Sequence, residues 1–128
     1  MIVIGSGPGV GSTTATTFAN KGFKHIILLS RNADRLKQDA REVQAASDGA
    51  KVETVPVDLA ADESQIKSSF AQVDKLLKDW AVPVEVVLFN AIRVGLSKVL
   101  EFPSADFAND LKVSTRFRKA RLVRTDGV

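Results

Sequence analysis

The chain has 128 residues, 45% hydrophobic and 26% charged, a composition typical of one soluble globular domain. It is too apolar for a disordered protein and too often interrupted by charge for a membrane span. The absence of cysteine excludes disulfides, thiolate metal sites and a cysteine nucleophile. The formal charge of +3 arises near the C-terminus, because residues 1–115 carry 13 basic against 14 acidic side chains.

Short β-branched runs alternate with longer amphipathic stretches, which is typical of a parallel sheet with helical crossovers. Most of the runs are too uniformly apolar for a sheet with one wet face, so we expect helices on both faces. The sequence therefore predicts an α/β fold, a three-layer Rossmann-type parallel sheet truncated after about four strand–helix units. The predicted strands are residues 2–5, 25–30, 51–57 and 84–89.

The predicted helices have recognisable ends. The first covers residues 10–21 and is followed by Gly22 as a C′ residue, and the second covers 33–46 with Asn32 as its N-cap. The third begins after Asp62, which has capping-box spacing with Gln65, and extends towards residue 79.

A fourth helix is predicted after Ser104, with Phe107, Leu111 and Ser114 along one side. Beyond it the pattern fails, so we divide the chain into residues 1–115 and a tail of residues 116–128. The tail carries five basic side chains against one acidic one. A solvated charged end is the favoured interpretation, and nucleic-acid binding through Arg116 to Arg124 is the weaker alternative.

A glycine-rich turn joins the first strand directly to the first helix, as a phosphate-binding turn requires. Gly5, Gly7, Gly9, Val10 and Gly11 lie in this turn. A GxGxxG fingerprint fails in both possible registers, and a Walker A loop fails because no lysine follows Gly11. The pattern GxxxGxG fits Gly5, Gly9 and Gly11. A turn with a purely structural role is the alternative.

This pattern on the first strand resembles the classical short-chain dehydrogenase/reductase family, whose signature is TGxxxGxG, with Ile4 in place of the threonine. The resemblance covers residues 1 to about 115, with the elements in family order. It implies a nicotinamide dinucleotide as cofactor, with its pyrophosphate on the turn from Gly5 to Gly11, including Gly7 and Val10.

The segment Ser30-Arg31-Asn32 stands at the ribose position of that fold, about twenty residues after the last glycine. Ser30 brings no negative charge, and the Arg31 guanidinium can pair with a 2′-phosphate. We therefore predict NADP(H) in preference to NAD(H). The alternative is a helix N-cap at Asn32 beside a solvated arginine.

Two further segments match family positions. Asp58 and Leu59 follow the third strand, where the family contacts adenine, although Asp58 could equally initiate a turn. Asn90 and Ala91 match the family's NNAG, whose glycine is replaced here by Ile92. We predict cofactor contacts at Asn90 and Ala91.

The family transfers a hydride between nicotinamide and a carbonyl or alcohol, using a tyrosine and a lysine in a YxxxK motif. This chain has no tyrosine, so we expect cofactor binding without catalysis. The resemblance also places Ser114 where the family has an asparagine. A non-enzymatic nucleotide-binding or regulatory module is the alternative function.

Further expectations concern truncation, self-association, metal binding and localisation. The loss of family pattern after Thr115 suggests an altered reading frame or splice form. The fourth strand would then be an open edge prone to self-association. The chain has one histidine, so we expect no metal site. No signal peptide precedes the first apolar run, so we expect a cytoplasmic protein.

Overall fold

The computed structural model describes residues 1–92 and 103–115. In these residues, parallel strands and helices alternate along the chain. The elements are β1 (Ile2–Ile4), α1 (Val10–Asn20), β2 (His25–Ser30), α2 (Ala33–Ala45), β3 (Lys51–Pro56), α3 (Glu63–Trp80), β4 (Val87–Phe89) and α4 (Ser104–Thr115). The basic tail and the loss of pattern after Thr115 lie outside the described residues.

The sheet has the strand order β3-β2-β1-β4, and every neighbouring pair is parallel. Ile2 of β1 is in register with Ile27 of β2 on one side and with Val87 of β4 on the other. The chain builds the sheet outward from β1 to β3 and then crosses back to place β4 beside β1. The strand order therefore reverses direction between β1 and β4.

Alternating side chains of the central strands bury against helices on both faces of the sheet. One face packs against α1 and α2, and the other against α3 and α4. The first core includes Val3, Ala15, Ile26, Leu28, Leu36 and Val43; the second includes Ile2, Ile4, Ile27, Leu29, Val55, Val73 and Val113. The predicted three-layer Rossmann-type α/β architecture is confirmed.

Side chains cap the starts of α2 and α3, and a glycine follows the end of α1, as the sequence predicts. The Asn32 Oδ1 accepts from the Arg35 amide at 2.9 Å, and the Asp62 Oδ1 accepts from the Gln65 amide at 3.0 Å. Gly22 has φ +100°, which favours glycine, and follows α1 directly after the C-cap. Each of the two capping hydrogen bonds satisfies a backbone N–H that the helix itself leaves unpaired.

The side of α4 that packs against the sheet is not the side that carries Phe107, Leu111 and Ser114. Phe107 is 56% exposed and Leu111 is 48% exposed, whereas Val113 is only 6% exposed. At about 100° per residue, Val113 lies roughly 200° around the helix from Leu111. The helix therefore packs against the sheet with the side that carries Val113, and the side with Phe107 and Leu111 is exposed. None of the described helices is both long and apolar enough to cross a membrane.

Candidate functional site

A cleft of about 580 Å³ lies at the carboxyl ends of the strands, where the strand order reverses. Open parallel sheets bind ligands at this position, because the loops on the two sides of the reversal diverge. The cleft is lined by Ile4, Gly5, Ser6, Gly7, Pro8, Val10, Leu29, Ser30, Arg31, Asn32, Arg35, Val57, Leu59, Asn90, Ala91, Ile92 and Val113. Of the predicted site residues, all but Gly9, Gly11 and Asp58 are in this lining.

The turn between β1 and α1 leaves backbone amides available. Gly9 is the N-cap of α1 and provides no side-chain cap. The amides of Ser12 and Thr13 bond back to Gly7 and Gly9, at 3.2 and 3.1 Å. The amides of Val10 and Gly11, the first two residues of α1, have no acceptor among residues 1–92 and 103–115. The positive end of the helix is therefore open to an anion beside the cleft.

The glycines of this turn have two distinct roles. A Cβ on Gly5 would lie 2.4 Å from the Ala91 nitrogen, and one on Gly11 would lie 2.7 Å from the Gly5 oxygen. These two positions allow backbone segments to touch. A Cβ on Gly7 or Gly9 would meet nothing within 4 Å, although Gly9 has φ +100°. Gly7 and Gly9 instead leave space next to the turn.

The end of β4 lies against the end of β1 and lines the cleft. The Asn90 amide donates to the Ile4 carbonyl at 2.7 Å, and its side-chain Nδ2 lies 3.4 Å from the Gly5 oxygen. Ala91 packs against Gly5, and Ile92, which is 67% exposed, extends the apolar lining. The predicted residues of β1 and β4 therefore meet in one wall.

The end of β2 brings positive charge to the cleft. Arg31 is exposed and makes no ion pair with any residue in the described part of the chain. Arg35, in the first turn of α2, also lines the cleft, and the lining includes no carboxylate. Ser30 and Asn32 flank Arg31, and Asn32 also caps α2. An anionic group at this end would meet the Arg31 guanidinium and the Arg35 guanidinium, whose Nε is paired with the buried Asp39 carboxylate.

The end of β3 contributes an apolar side chain. Leu59 is 6% exposed and lines the cleft together with Val57. Asp58 is exposed, and its Oδ1 accepts from the Ala60 amide at 2.9 Å, the hydrogen bond of the turn-initiating alternative. A contact between Asp58 and adenine remains a prediction. Ser114 of α4 is exposed, and Val113 is the residue of that helix that reaches the cleft.

Sequence reasoning missed a polar contact beneath the glycine turn. The Ser6 hydroxyl donates to Asp39 Oδ2 at 2.8 Å, and Arg35 Nε lies 2.8 Å from Asp39 Oδ1. Asp39 is 0% exposed although it carries a carboxylate. The available signal was its place next to Ala40 in the apolar stripe of α2, where a charged residue is unexpected.

The lone histidine lies at the opposite, amino edge of the sheet. The ring of His25 packs against Trp80, with centroids 5.0 Å apart. Trp80 also packs against the core between the sheet and α3. Within residues 1–92 and 103–115, no three His, Cys, Asp or Glu side chains group together as metal ligands.

Comparison with known proteins gives consistent similarities. A family model described as short chain dehydrogenase matches residues 1–116. The WW domain-containing oxidoreductase of Danio rerio is 35% identical over 91 residues, 71% of this chain and 21% of that protein. The very-long-chain 3-oxoacyl-CoA reductase of Neurospora crassa is 31% identical over 102 residues, 80% of this chain and 28% of that protein.

Solved structures show the same architecture. NAD⁺-bound xylitol dehydrogenase has a TM-score of 0.73 at 26% identity, covering 89% of this chain and 41% of that one. Actinorhodin polyketide ketoreductase with NADPH has a TM-score of 0.70 at 18% identity, covering 92% and 44%, which shows the fold alone. The chain spans less than half the length of each of these four relatives. Because the family model matches residues 1–116 of the 128 in the chain, the chain belongs to the short-chain dehydrogenase family.

Proposed function

We propose that this chain binds NADP(H) in the cleft at the carboxyl edge of the sheet. It would be the cofactor-binding portion of an oxidoreductase, formed by residues 1–115, with the tail of residues 116–128 outside it. One observation carries the cofactor preference: Arg31 and Arg35 line the β2 end of the cleft, and no carboxylate does.

The turn from Gly5 to Gly11 suits a pyrophosphate. The helix end supplies amides at positions 10 and 11 that have no acceptor in the described part of the chain. The absence of side chains at Gly7 and Gly9 leaves room for phosphate oxygens to approach the backbone. The proposed contacts are therefore made by backbone N–H groups and the positive end of α1.

The β2 end of the cleft distinguishes the two nicotinamide cofactors. An NAD-binding site of this fold usually presents a carboxylate to the ribose 2′-hydroxyl, and Ser30 stands there instead. Arg31, which has no ion-pair partner in the described part of the chain, can pair with a 2′-phosphate. Structural relatives occur with either NAD⁺ or NADPH, so the preference rests on these residues alone.

The remaining predicted contacts are proposed for different parts of the cofactor along the cleft. Asn32 would lie beside the 2′-phosphate, and Leu59, with Asp58 next to it, would adjoin the adenine. Asn90 and Ala91 would face the nicotinamide ribose at the end of β4. When bound, the nicotinamide supplies or accepts a hydride in this family. The chain contains no tyrosine to donate or accept the accompanying proton, so we propose that it binds cofactor without catalysing the reaction.

Calorimetric titration of the folded 128-residue chain with NADPH and with NADH tests the cofactor proposal. Arg31→Ala should weaken NADPH binding by about tenfold or more, as expected for a lost charge-assisted hydrogen bond, and leave NADH binding almost unchanged. Arg41→Ala is a matched control, because Arg41 is exposed on the same helix as Arg35 but outside the cleft lining. Folded protein that binds neither nucleotide at millimolar concentration contradicts the proposal. An unchanged preference in Arg31→Ala contradicts the assignment of NADP(H).

A separate measurement addresses catalysis. NADPH oxidation is followed in the presence of a panel of aldehydes and ketones, with the chain at concentrations that saturate binding. We expect binding without turnover, which would also fit a regulatory nucleotide-binding module. Sustained turnover by the purified chain would show that another group replaces the missing tyrosine.

A further inference from the structure

The helix α2 carries a fully buried carboxylate at a position where a hydrophobic residue is expected. Asp39 is 0% exposed, and the other buried side chains of α2 are Leu36, Ala40 and Val43. Removing a carboxylate from water is costly unless it is paired or hydrogen-bonded. The contacts of Asp39 therefore show what this buried charge serves.

One carboxylate oxygen of Asp39 is bound to the glycine turn. Oδ2 accepts the hydroxyl proton of Ser6 at 2.8 Å, across 33 positions of sequence. The Ser6 amide in turn donates to the Leu29 carbonyl at the end of β2, at 3.0 Å. Ser6 is thus held through both its backbone and its side chain, near the start of the proposed pyrophosphate-binding turn.

The other oxygen faces the second arginine of the cleft. Oδ1 lies 2.8 Å from Arg35 Nε, which forms an ion pair although the N–H is not aligned for a hydrogen bond. The Arg35 side chain remains 31% exposed and lines the cleft. Because Nε is held by a buried anchor, the guanidinium is restrained at the β2 end of the cleft.

We propose that Asp39 is a positioning residue of the cofactor site, which couples the glycine turn to the basic end of the cleft through Ser6 and Arg35. This inference rests on the proposed function. The contact of Asp39 with Ser6, called the Ser6 arm, affects binding of the pyrophosphate, which NADPH and NADH share. The Arg35 arm acts on the end of the cleft where only NADPH carries a phosphate.

The two arms predict different binding changes. Ser6→Ala removes only the first arm, so the affinities for NADPH and NADH should fall together and their ratio should stay the same. Arg35→Gln removes only the charge of the second arm, so NADPH affinity should fall and NADH affinity should stay. A purely structural role of Asp39 would not change the ratio of the two affinities.

Asp39→Asn removes the ion pair with Arg35 and keeps an acceptor for the Ser6 hydroxyl. The amide oxygen can still accept from Ser6, but the amide has no charge to pair with Arg35. We expect NADPH affinity to fall by about three- to tenfold and NADH affinity to change by less than about twofold, because Arg35 loses its charged anchor and the restraint on its guanidinium outweighs the removed negative charge. Asp34→Asn is the matched control, since Asp34 is exposed on the same helix and pairs only weakly with Lys37, at 3.7 Å.

Both affinities are measured by calorimetry on each variant of the whole chain, after circular dichroism and thermal unfolding have shown that it is folded. An NADPH/NADH ratio in Asp39→Asn equal to that of the unmodified chain overturns the inference. If that variant does not fold, Ser6→Ala and Arg35→Gln decide instead, and unchanged affinities in both overturn it. A preference that responds to Arg31→Ala but not to Asp39→Asn refutes only this coupling. Folded unmodified chain that binds no dinucleotide refutes the proposed function as well.

Discussion

A Cβ on Gly5 would lie 2.4 Å from the backbone nitrogen of Ala91, so the ends of β1 and β4 are in direct backbone contact. No other residue type permits this approach without movement of one strand. Gly5 also has φ +93°, a conformation that side chains rarely adopt. Both the close contact with Ala91 and the positive φ therefore require glycine at position 5.

Gly5→Ala should destabilise the fold by about 2–5 kcal/mol, because steric overlap and left-handed strain add together. Urea unfolding followed by circular dichroism measures the change. Gly7→Ala is the control, since its Cβ would meet nothing within 4 Å and its φ is not positive. Equal stability of the two variants would show that the strand ends can separate at little cost.

Gly11→Ala reverses the usual effect of alanine in a helix. Alanine is favoured over glycine by about 1 kcal/mol in a helix interior. Here the added Cβ would lie 2.7 Å from the Gly5 carbonyl oxygen, so α1 would have to move away from β1. We expect a net loss of about 1–3 kcal/mol in unfolding free energy, as for other overpacked sites. Thr17→Ala, at an exposed position of the same helix, should change stability by less than about 1 kcal/mol, and a stabilised Gly11→Ala would contradict the close packing.

The alternation of strands and helices could be predicted because each element has its own period in the sequence. Ile26 and Leu28 bury on one face of the sheet, and Ile27 and Leu29 bury on the other. A strand buried on both faces reads as a continuous apolar run, which indicated helices on both sides. The four glycines of the first turn were equally visible, because they join a strand directly to a helix.

Contacts between distant residues could not be predicted in the same way. The bond between Ser6 and Asp39 depends on how α2 packs beneath the first turn, which no local pattern encodes. The packing of α4 is a similar case. Its 12 residues carry apolar side chains on two sides, and only docking against the sheet selects Val113 over Leu111.

Asn32→Ala should destabilise the fold by about 1 kcal/mol, because the Arg35 amide loses its acceptor at the start of α2. Asn32→Asp is the control, since it keeps the acceptor and places a negative charge at the helix N-terminus. Thermal and urea unfolding without cofactor report this change. Arg31→Ala should leave the same transitions unchanged, because Arg31 makes no ion pair within the described residues. A destabilised Arg31→Ala would favour a structural role for that arginine.

Binding of NADPH should raise the stability of the chain by an amount that depends on salt. At a free concentration of one hundred times Kd, a ligand that binds only the folded state adds about 2.7 kcal/mol. The proposed contact of the 2′-phosphate with Arg31 would form at an exposed site, and the Debye length falls from about 10 Å at 0.1 M salt to about 3 Å at 1 M. The excess stabilisation by NADPH over NADH at equal concentration should therefore shrink as salt is added, and should be small at all salt concentrations in Arg31→Ala. Thermal shift measured for both nucleotides across this salt range tests the prediction. An excess that persists at 1 M salt, about as large as at 0.1 M, would mean that the two cofactors are distinguished by shape and not by charge.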